Sequence, residues 1–283
     1  MEISSATWDI GSAIIACDRP VIMGVINVTP DSFSDGGRFF DQIDAVKQGM
    51  KLANDGADIL DIGGESTRPG SDPVSVEDEL SRVIPVIKGL REIGITKPIS
   101  IDTRKLAVAE KAVQAGANIV NDVSALRDDT ELASFCAEKK IGLVLMHMLG
   151  RPRTMQVEVR YDDVIREIGE FFEERLAFAS QNGIDENKIA LDPGIGFGKL
   201  LEHNLRILNE CGKWLEFGRP ILIGPSRKRF IGELTGEGTD ERLGGTIAAC
   251  IMAFLSGARI FRVHDVKHVK QALDVANAIY VKK

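Results

Sequence analysis

The sequence predicts an α/β protein, a TIM (β/α)8 barrel with a short N-terminal hairpin, on three observations. Short apolar runs recur eight times, each followed by a polar or Gly-rich stretch and then by a segment of helical spacing. The runs are continuous rather than alternating, as parallel strands buried on both faces require. The chain has 283 residues, which accommodates the roughly 250 of one such barrel as a single domain over 1–283. Strand–helix–strand crossovers are right-handed, so eight of them close readily.

The elements follow in order. Ile3 to Ile15 reads as a hairpin turning at Asp9–Gly11, placed to plug the barrel floor. Val21 to Ile26 is the first barrel strand and delivers Asn27. The loop after it, Thr29 to Gly37, exceeds the usual connection length, which favours a functional role. Residues 41–55 are helical, with Ile43, Val46, Met50 and Ala53 on one face. Ile59 to Gly63 is a strand carrying Asp61, and Ser75 to Glu92 a helix with Ser75 at its N-cap. Ile99 to Ile101 delivers Asp102 ahead of a helix to Ala115. Ile119-Val120 delivers Asn121 and Asp122, and 130–140 is helical. Leu143 to Met146 delivers His147, a loop carries Arg151 and Arg153, and a helix spans 161–182. Ile189 to Leu191 delivers Asp192 into Pro193-Gly194-Ile195-Gly196-Phe197-Gly198-Lys199, a loop able to bring main-chain N–H groups close to a ligand. After a helix over 202–216, Ile221 to Gly224 delivers Ser226, Arg227 and Lys228, with 230–240 read as loop. Residues 240–256 form a helix rich in small residues, Ile260 to Val263 delivers His264, and a helix over 266–281 follows.

Composition narrows the function classes. With 44% hydrophobic and 27% charged residues the chain reads as an ordinary globular protein. The net charge of -7 argues against broad nucleic-acid binding but leaves room for a local basic site. Cys17, Cys136, Cys211 and Cys250 lack CxxC spacing and read as buried thiols of a reducing compartment. No basic region precedes an apolar core at the N-terminus, and no apolar run approaches the length of about 18 residues that a membrane span needs. A cytoplasmic location with no membrane partner is the expectation.

In this fold the chemistry lies at the carboxyl ends of the strands. One set there is Asp102, Asn121 and Asp192 with Lys228. Two carboxylates, an amide and an ammonium suit the donor and acceptor edge of a nitrogen-rich heterocycle such as an aminopyrimidine. Buried without partners they would cost several kcal/mol, so they need a ligand or mutual pairing. Either aspartate alone could instead cap a helix or pair internally. A second set is basic: Arg68, Arg227, Lys228, Arg262 and His264, near Asn27, Ser66 and Thr67. On an acidic chain, cations gathered at several strand ends point to an anionic, phosphate-bearing substrate. The competing reading is surface ion pairing, weak for each arginine. Asn27 and nearby oxygens could hold Mg²⁺ on a diphosphate, since Mg²⁺ keeps most of its waters. His147 reads as structural or catalytic. The Gly-rich loop is no P-loop, because Pro193 holds the first glycine position and Leu200 follows the lysine. GxGxxG, HExxH and GxSxG are absent.

Eight segments together resemble one family: NVTPDSFSDGG at 27–37, DIGGESTRPG at 61–70, ISIDT at 99–103, NDV at 121–123, LMHMLGRPRTMQ at 145–156, LDPGIGFGK at 191–199, GPSRKRFIG at 224–232 and RVHDV at 262–266. By these the chain resembles the bacterial dihydropteroate synthases, pterin-binding barrels, over nearly its whole length. The resemblance implies a folate-synthesis transferase that joins a dihydropterin methyl diphosphate to 4-aminobenzoate, releases diphosphate, uses Mg²⁺, is blocked by sulfonamides and forms a homodimer. It implies that Asp102, Asn121, Met146, Asp192, Phe197, Lys228 and Arg262 hold the pterin, with Asp102, Lys228 and Arg262 catalytic. Asn27, Thr67, Arg68, Arg262 and His264 would bind diphosphate, Asn27 also the metal. Phe33, Thr67, Pro69 and Ser226 would surround aminobenzoate. Loops 28–40 and 63–74 would order on diphosphate and exclude water. Two alternatives stay open. A pterin-binding methyltransferase barrel needs the heterocycle pocket but neither Ser226-Arg227-Lys228 nor Ser66 to Gly70. A non-catalytic pterin carrier would leave the diphosphate residues idle.

Overall fold

The computed structural model describes residues 7–29, 37–66, 71–150, 155 and 159–281, without the side chains of 37–41. β1 (Thr7–Asp9) and β2 (Ile14–Ala16) pair antiparallel, Trp8 opposite Ile15. The barrel opens with β3 (Val21–Asn27), α1 (Gly37–Asn54), β4 (Ile59–Gly63) and α2 (Val76–Glu92). It continues through β5 (Ile99–Asp102), α3 (Leu106–Ala115), β6 (Ile119–Asp122), α4 (Glu131–Lys139), β7 (Gly142–Met146) and α5 (Val164–Gln181). Then come β8 (Ile189–Asp192), α6 (Leu201–Glu210), β9 (Leu222–Ile223), α7 (Arg229–Thr235), α8 (Leu243–Ser256), β10 (Ile260–Val263) and α9 (Val266–Val281).

The eight barrel strands pair in the order β8-β7-β6-β5-β4-β3-β10-β9, all parallel. A parallel bridge between Leu191 and Ile221 joins the two ends and closes the barrel. Side chains alternate along each strand. In β4, Leu60 and Ile62 pack outward with the helices, whereas Ile59 joins Val21, Met23, Ile119, Val144, Ala190, Leu222 and Ile260 in the barrel interior. The next inward position of β4 is Asp61, of β5 Asp102, of β6 Asn121. The alternation that fills the lower barrel with apolar groups therefore sets the polar strand ends into its mouth.

The hairpin plugs the floor, as expected, but its strands are Thr7–Asp9 and Ile14–Ala16 with the turn over 10–13, and residues 3–6 of the expected span lie outside the described residues. Trp8 is fully buried in the interior cluster, and its Nε1 donates to the Lys188 carbonyl at 2.7 Å. Lys188 Nζ in turn donates to Asp9 Oδ2 at 2.8 Å. Ser75 caps α2, its Oγ accepting from the Asp78 N–H.

Three expectations need correction. On α1 the buried positions include Ala45 and Leu52, whereas Ile43 and Met50 of the expected apolar face are exposed. The helix over 202–216 is α-helical only to Glu210 and continues as a 3-10 turn over Cys211–Phe217. A Cβ on Gly212 would lie 2.0 Å from the Ser256 carbonyl, so the chain tightens where it passes the end of α8. Residues 230–240 are not merely loop: they hold α7, whose Phe230 and Ile231 are buried and whose end is capped by Gly236 in the left-handed region. Among the described residues no helix is long and apolar enough to cross a membrane.

Candidate active site

Strand register aligns the mouth. Asn27 pairs with Gly63, Gly63 with Asp102, and Asp102 with Asn121, while Met146 pairs with Asp192 further round. A pocket opens above this row, lined by Asp102, Asn121, Val123, Met146, Asp192, Ile195, Phe197, Gly224, Lys228 and Arg262. All seven residues expected around a pterin are thus brought together.

Arg262 organises the pocket. Its Nε donates to Asp61 Oδ2 at 2.6 Å and its Nη2 to Asp102 Oδ2 at 2.7 Å. Burial disfavours the guanidinium charge, but the two carboxylates more than offset that and keep it protonated. Burial pushes the Asp102 carboxyl up to about 7; Arg262 opposes the rise and Asp61 adds to it. Burial likewise lifts Asp192 to about 6, against the Gly194 N–H and Lys228. Lys228 Nζ stands 4.2 Å from the centroid of the Phe197 ring, a cation over an aromatic face. Asn121 donates weakly toward Asp61 Oδ2 (3.4 Å), while Asn121 Oδ1 and Asp61 Oδ1 are buried without a hydrogen-bond partner among the described residues. An unmet buried acceptor costs about 1–3 kcal/mol, which a ligand N–H can offset.

The Gly-rich loop forms a wall of the pocket. Gly194 has φ 68°, and a Cβ there would lie 2.0 Å from the His147 carbonyl. Its N–H donates to Asp192 Oδ1 at 2.7 Å and that of Gly196 to Asn204 Oδ1 at 2.7 Å. These two N–H groups bind side chains of the protein, Asp192 and Asn204. Behind the wall, Lys199 Nζ lies 2.9 Å from His147 Nδ1 and donates to the Phe197 carbonyl at 3.0 Å. Burial pushes Lys199 down to about 7 and, with the Lys199 charge, holds His147 well below its usual range. His147 packs edge-on against Phe171 and does not line the pocket, so of its two readings the structural one stands.

Beside the pocket, Ser226 Oγ lies 3.0 Å from His264 Nδ1 and accepts from the His264 N–H at 3.2 Å. Burial, then Arg262 and Arg227, push His264 down to about 4, so near neutral pH the ring is uncharged and offers hydrogen bonds rather than a cation. Arg227, expected in the basic set, has its guanidinium paired with Asp265 through Nε (3.0 Å) and Nη2 (2.8 Å). Phe33, Thr67, Arg68, Pro69, Arg151 and Arg153 lie outside the described residues. Reading the sequence missed Val123, Ile195 and Gly224 as pocket walls, although each stands within three residues of a polar strand end. It also missed the Lys199–His147 pair, whose buried lysine no spacing rule marks. Among the described residues no group of three or more His, Cys, Asp or Glu could hold a metal ion.

A barrel of this topology with this pocket is a pterin-binding enzyme, and residues 23–264 match the family described as pterin binding enzyme. The chain is 46% identical over 260 residues to the dihydropteroate synthase of Escherichia coli K12, covering 92% of each chain. It is similar in structure to Xanthomonas albilineans dihydropteroate synthase with 4-aminobenzoic acid, at a TM-score of 0.91 and 46% identity over 98% of both chains. It is also similar to Yersinia pestis dihydropteroate synthase in a sulfonamide drug complex, at a TM-score of 0.92 and 38% identity, over 97% of this chain and 99% of that one. The chain belongs to the dihydropteroate synthase family.

Proposed function

We propose that this chain condenses a (7,8-dihydropterin-6-yl)methyl diphosphate with 4-aminobenzoate to 7,8-dihydropteroate and diphosphate. The observation that carries the reading is the polar lining of one pocket: Asp102, Asn121 and Asp192 line it together with Lys228 and Arg262. An ionised carboxylate accepts two parallel N–H bonds from the aminopyrimidine edge, Asn121 Oδ1 accepts a third, and Lys228 donates to the ring. Phe197 and Met146 pack on the ring faces.

The C–O bond to diphosphate breaks first, leaving an electron-poor exocyclic methylene whose charge the pterin ring delocalises. Arg262 neutralises the departing anion, and ionised Asp102 beside it stabilises the cation. The neutral arylamine then attacks the methylene carbon and gives up its proton to the released diphosphate or to water. No nucleophilic side chain is needed. Ser226, tied to His264, is the described residue proposed for the aminobenzoate side, with Phe33, Thr67 and Pro69; Arg68 and Thr67 are proposed for diphosphate. Bound magnesium would neutralise charge on the leaving diphosphate. Asn27, a single half-buried amide at the end of β3, is the residue that would hold it, and such a sparse donor set fits an ion that keeps its waters and substrate oxygens. Sulfonamides, as mimics of aminobenzoate, would compete at the same subsite.

A homodimer and a cytoplasmic location belong to the same proposal. On α8, Gly244, Ala248, Met252 and Leu255 are exposed in one stripe, and on α9 Val275 and Ile279 continue the apolar face. Met252→Asp should give a monomer by sedimentation if this face pairs.

The test is diphosphate release from the pterin substrate with Mg²⁺, with and without 4-aminobenzoate, on wild type and Arg262→Ala. Release stimulated by aminobenzoate, with dihydropteroate formed and both lost in the variant, supports the synthase. Tight pterin binding without release would favour a methyltransferase barrel or a carrier.

A further inference from the structure

Arg227 is one of four non-glycine residues in the left-handed region among the described residues, at φ 58°, and it stands between two residues of the proposed site. An L side chain at such a backbone angle costs free energy and persists only where its surroundings over-determine it. Here they do, on every side. The Arg227 N–H donates to Thr246 Oγ1 at 3.1 Å, and Thr246 is fully buried in α8. The Arg227 carbonyl accepts from Arg242 Nη1 at 3.1 Å. The side chain makes its two-pronged bond to Asp265, with Nη1 reaching Asp240 Oδ1 at 3.4 Å.

Asp265 follows His264, and His264 is bonded to Ser226. Two adjacent cross-links, Ser226 to His264 and Arg227 to Asp265, therefore tie the turn after β9 to the turn after β10. The first turn carries Ser226 and Lys228; the second follows Arg262. A fork with two parallel N–H bonds fixes angle as well as distance, which a lysine ammonium cannot do.

We propose that Arg227, with Asp265 as its partner, is a positioning residue that holds Ser226 and Lys228 in register with Arg262 and His264, so that the aminobenzoate and pterin subsites face each other at the distance of the new C–N bond. This rests on the synthase reading above.

Arg227→Gly separates positioning from stability, because glycine takes φ 58° without strain while deleting the fork. The expected result is a melting temperature at or near that of wild type, with KM for 4-aminobenzoate raised about tenfold or more and kcat lowered, as a displacement near 1 Å at a reacting pair would give. Asp265→Asn should reproduce the same constants, and the double variant should add little, since both remove one tie. Arg227→Lys should fail to restore them. Wild-type constants in Arg227→Gly, or additive losses in the double variant, would overturn the proposal. Should Arg227→Gly fail to fold, Asp265→Asn decides alone, by a raised KM or an unchanged one. A wild type that forms no dihydropteroate would instead remove the synthase reading, and is seen in the control lane before any variant is compared.

Discussion

Arg262 is gripped from beneath by Asp61: Nε donates to Asp61 Oδ2 at 2.6 Å, with Asp61 itself fully buried. The second prong of the guanidinium, Nη2, goes to Asp102, a residue proposed to touch the pterin. Asp61 thus aims a cation that must serve both a ring and a leaving anion. Deleting one partner of a buried pair leaves a charge uncompensated, at about 3–5 kcal/mol. Asp61→Ala should lose about 3 kcal/mol in urea unfolding and on the order of a hundredfold in turnover, whereas Asp61→Asn keeps an acceptor for Nε and should recover most of the stability. Equal stability of wild type and Asp61→Ala would mean that Arg262 is held by Asp102 alone.

Much of this was legible before the fold was seen, for a physical reason. Several of the parallel barrel strands are short and apolar and run into a polar residue at or beside their carboxyl end, so β5, β6 and β8 announce Asp102, Asn121 and Asp192 by position. Strand register then brings distant segments into one row, as Asn27, Gly63, Asp102 and Asn121 show. What stayed hidden depends on side-chain partners. Arg227 and Lys228 are neighbours in a basic run, yet one turns to Asp265 and the other stands over Phe197. Neither composition nor spacing distinguishes them. Helix α7 was hidden for a different reason: seven residues carry too little periodicity to stand out from loop.

Lys199 and His147 form a buried pair behind Phe197. Removing the imidazole leaves the buried Lys199 Nζ short of a hydrogen-bond partner; removing the lysine leaves a neutral ring. His147→Ala should therefore destabilise by about 2–3 kcal/mol, and Lys199→Met, which fills the volume without charge, by less than about 1 kcal/mol. The Met variant should still bind pterin more weakly, because the Phe197 carbonyl loses its anchor and the wall of the pocket loosens. Denaturation and pterin titration by fluorescence check both; the reverse order of stabilities would mean that the ammonium, not the imidazole, holds this corner.

Metal removal separates binding from reaction. Asn27 is the described residue proposed for Mg²⁺, and the heterocycle is held by groups of the pocket, not by Asn27. Chelation with EDTA should abolish diphosphate release while changing the affinity for the unphosphorylated pterin alcohol less than about twofold, since Mg²⁺ binds through diphosphate oxygens. Asn27→Ala should raise the Mg²⁺ concentration for half-maximal rate. Release that continues in EDTA would leave Arg262 as a sufficient counter-charge and remove the metal from the proposal.

The pocket carboxylates set the pH dependence, and the sign follows from their direction. Burial raises Asp192 to about 6 and Asp102 to about 7 from an ordinary value of 3.8, so the folded, ligand-free protein prefers them protonated. The stability they lend is complete below 3.8 and is lost as pH rises through 6 and then 7. Lys199, lowered from 10.5 to about 7, acts in the other direction: its contribution is present above 10.5 and lost as pH falls through 7. Binding needs the opposite state of the acids, because only ionised carboxylates accept the two ring N–H bonds. kcat/KM for the pterin diphosphate should therefore rise with pH through the 6 to 7 range and level above it, reporting the free enzyme. In step with it, the rise in melting temperature given by the pterin alcohol should grow from acid to neutral pH. Asp192→Asn should lower the plateau and leave a single acid step near 7, that of Asp102. An acid limb identical in Asp192→Asn and wild type would show that Asp192 does not titrate in this range and that the pH profile belongs to Asp102 alone.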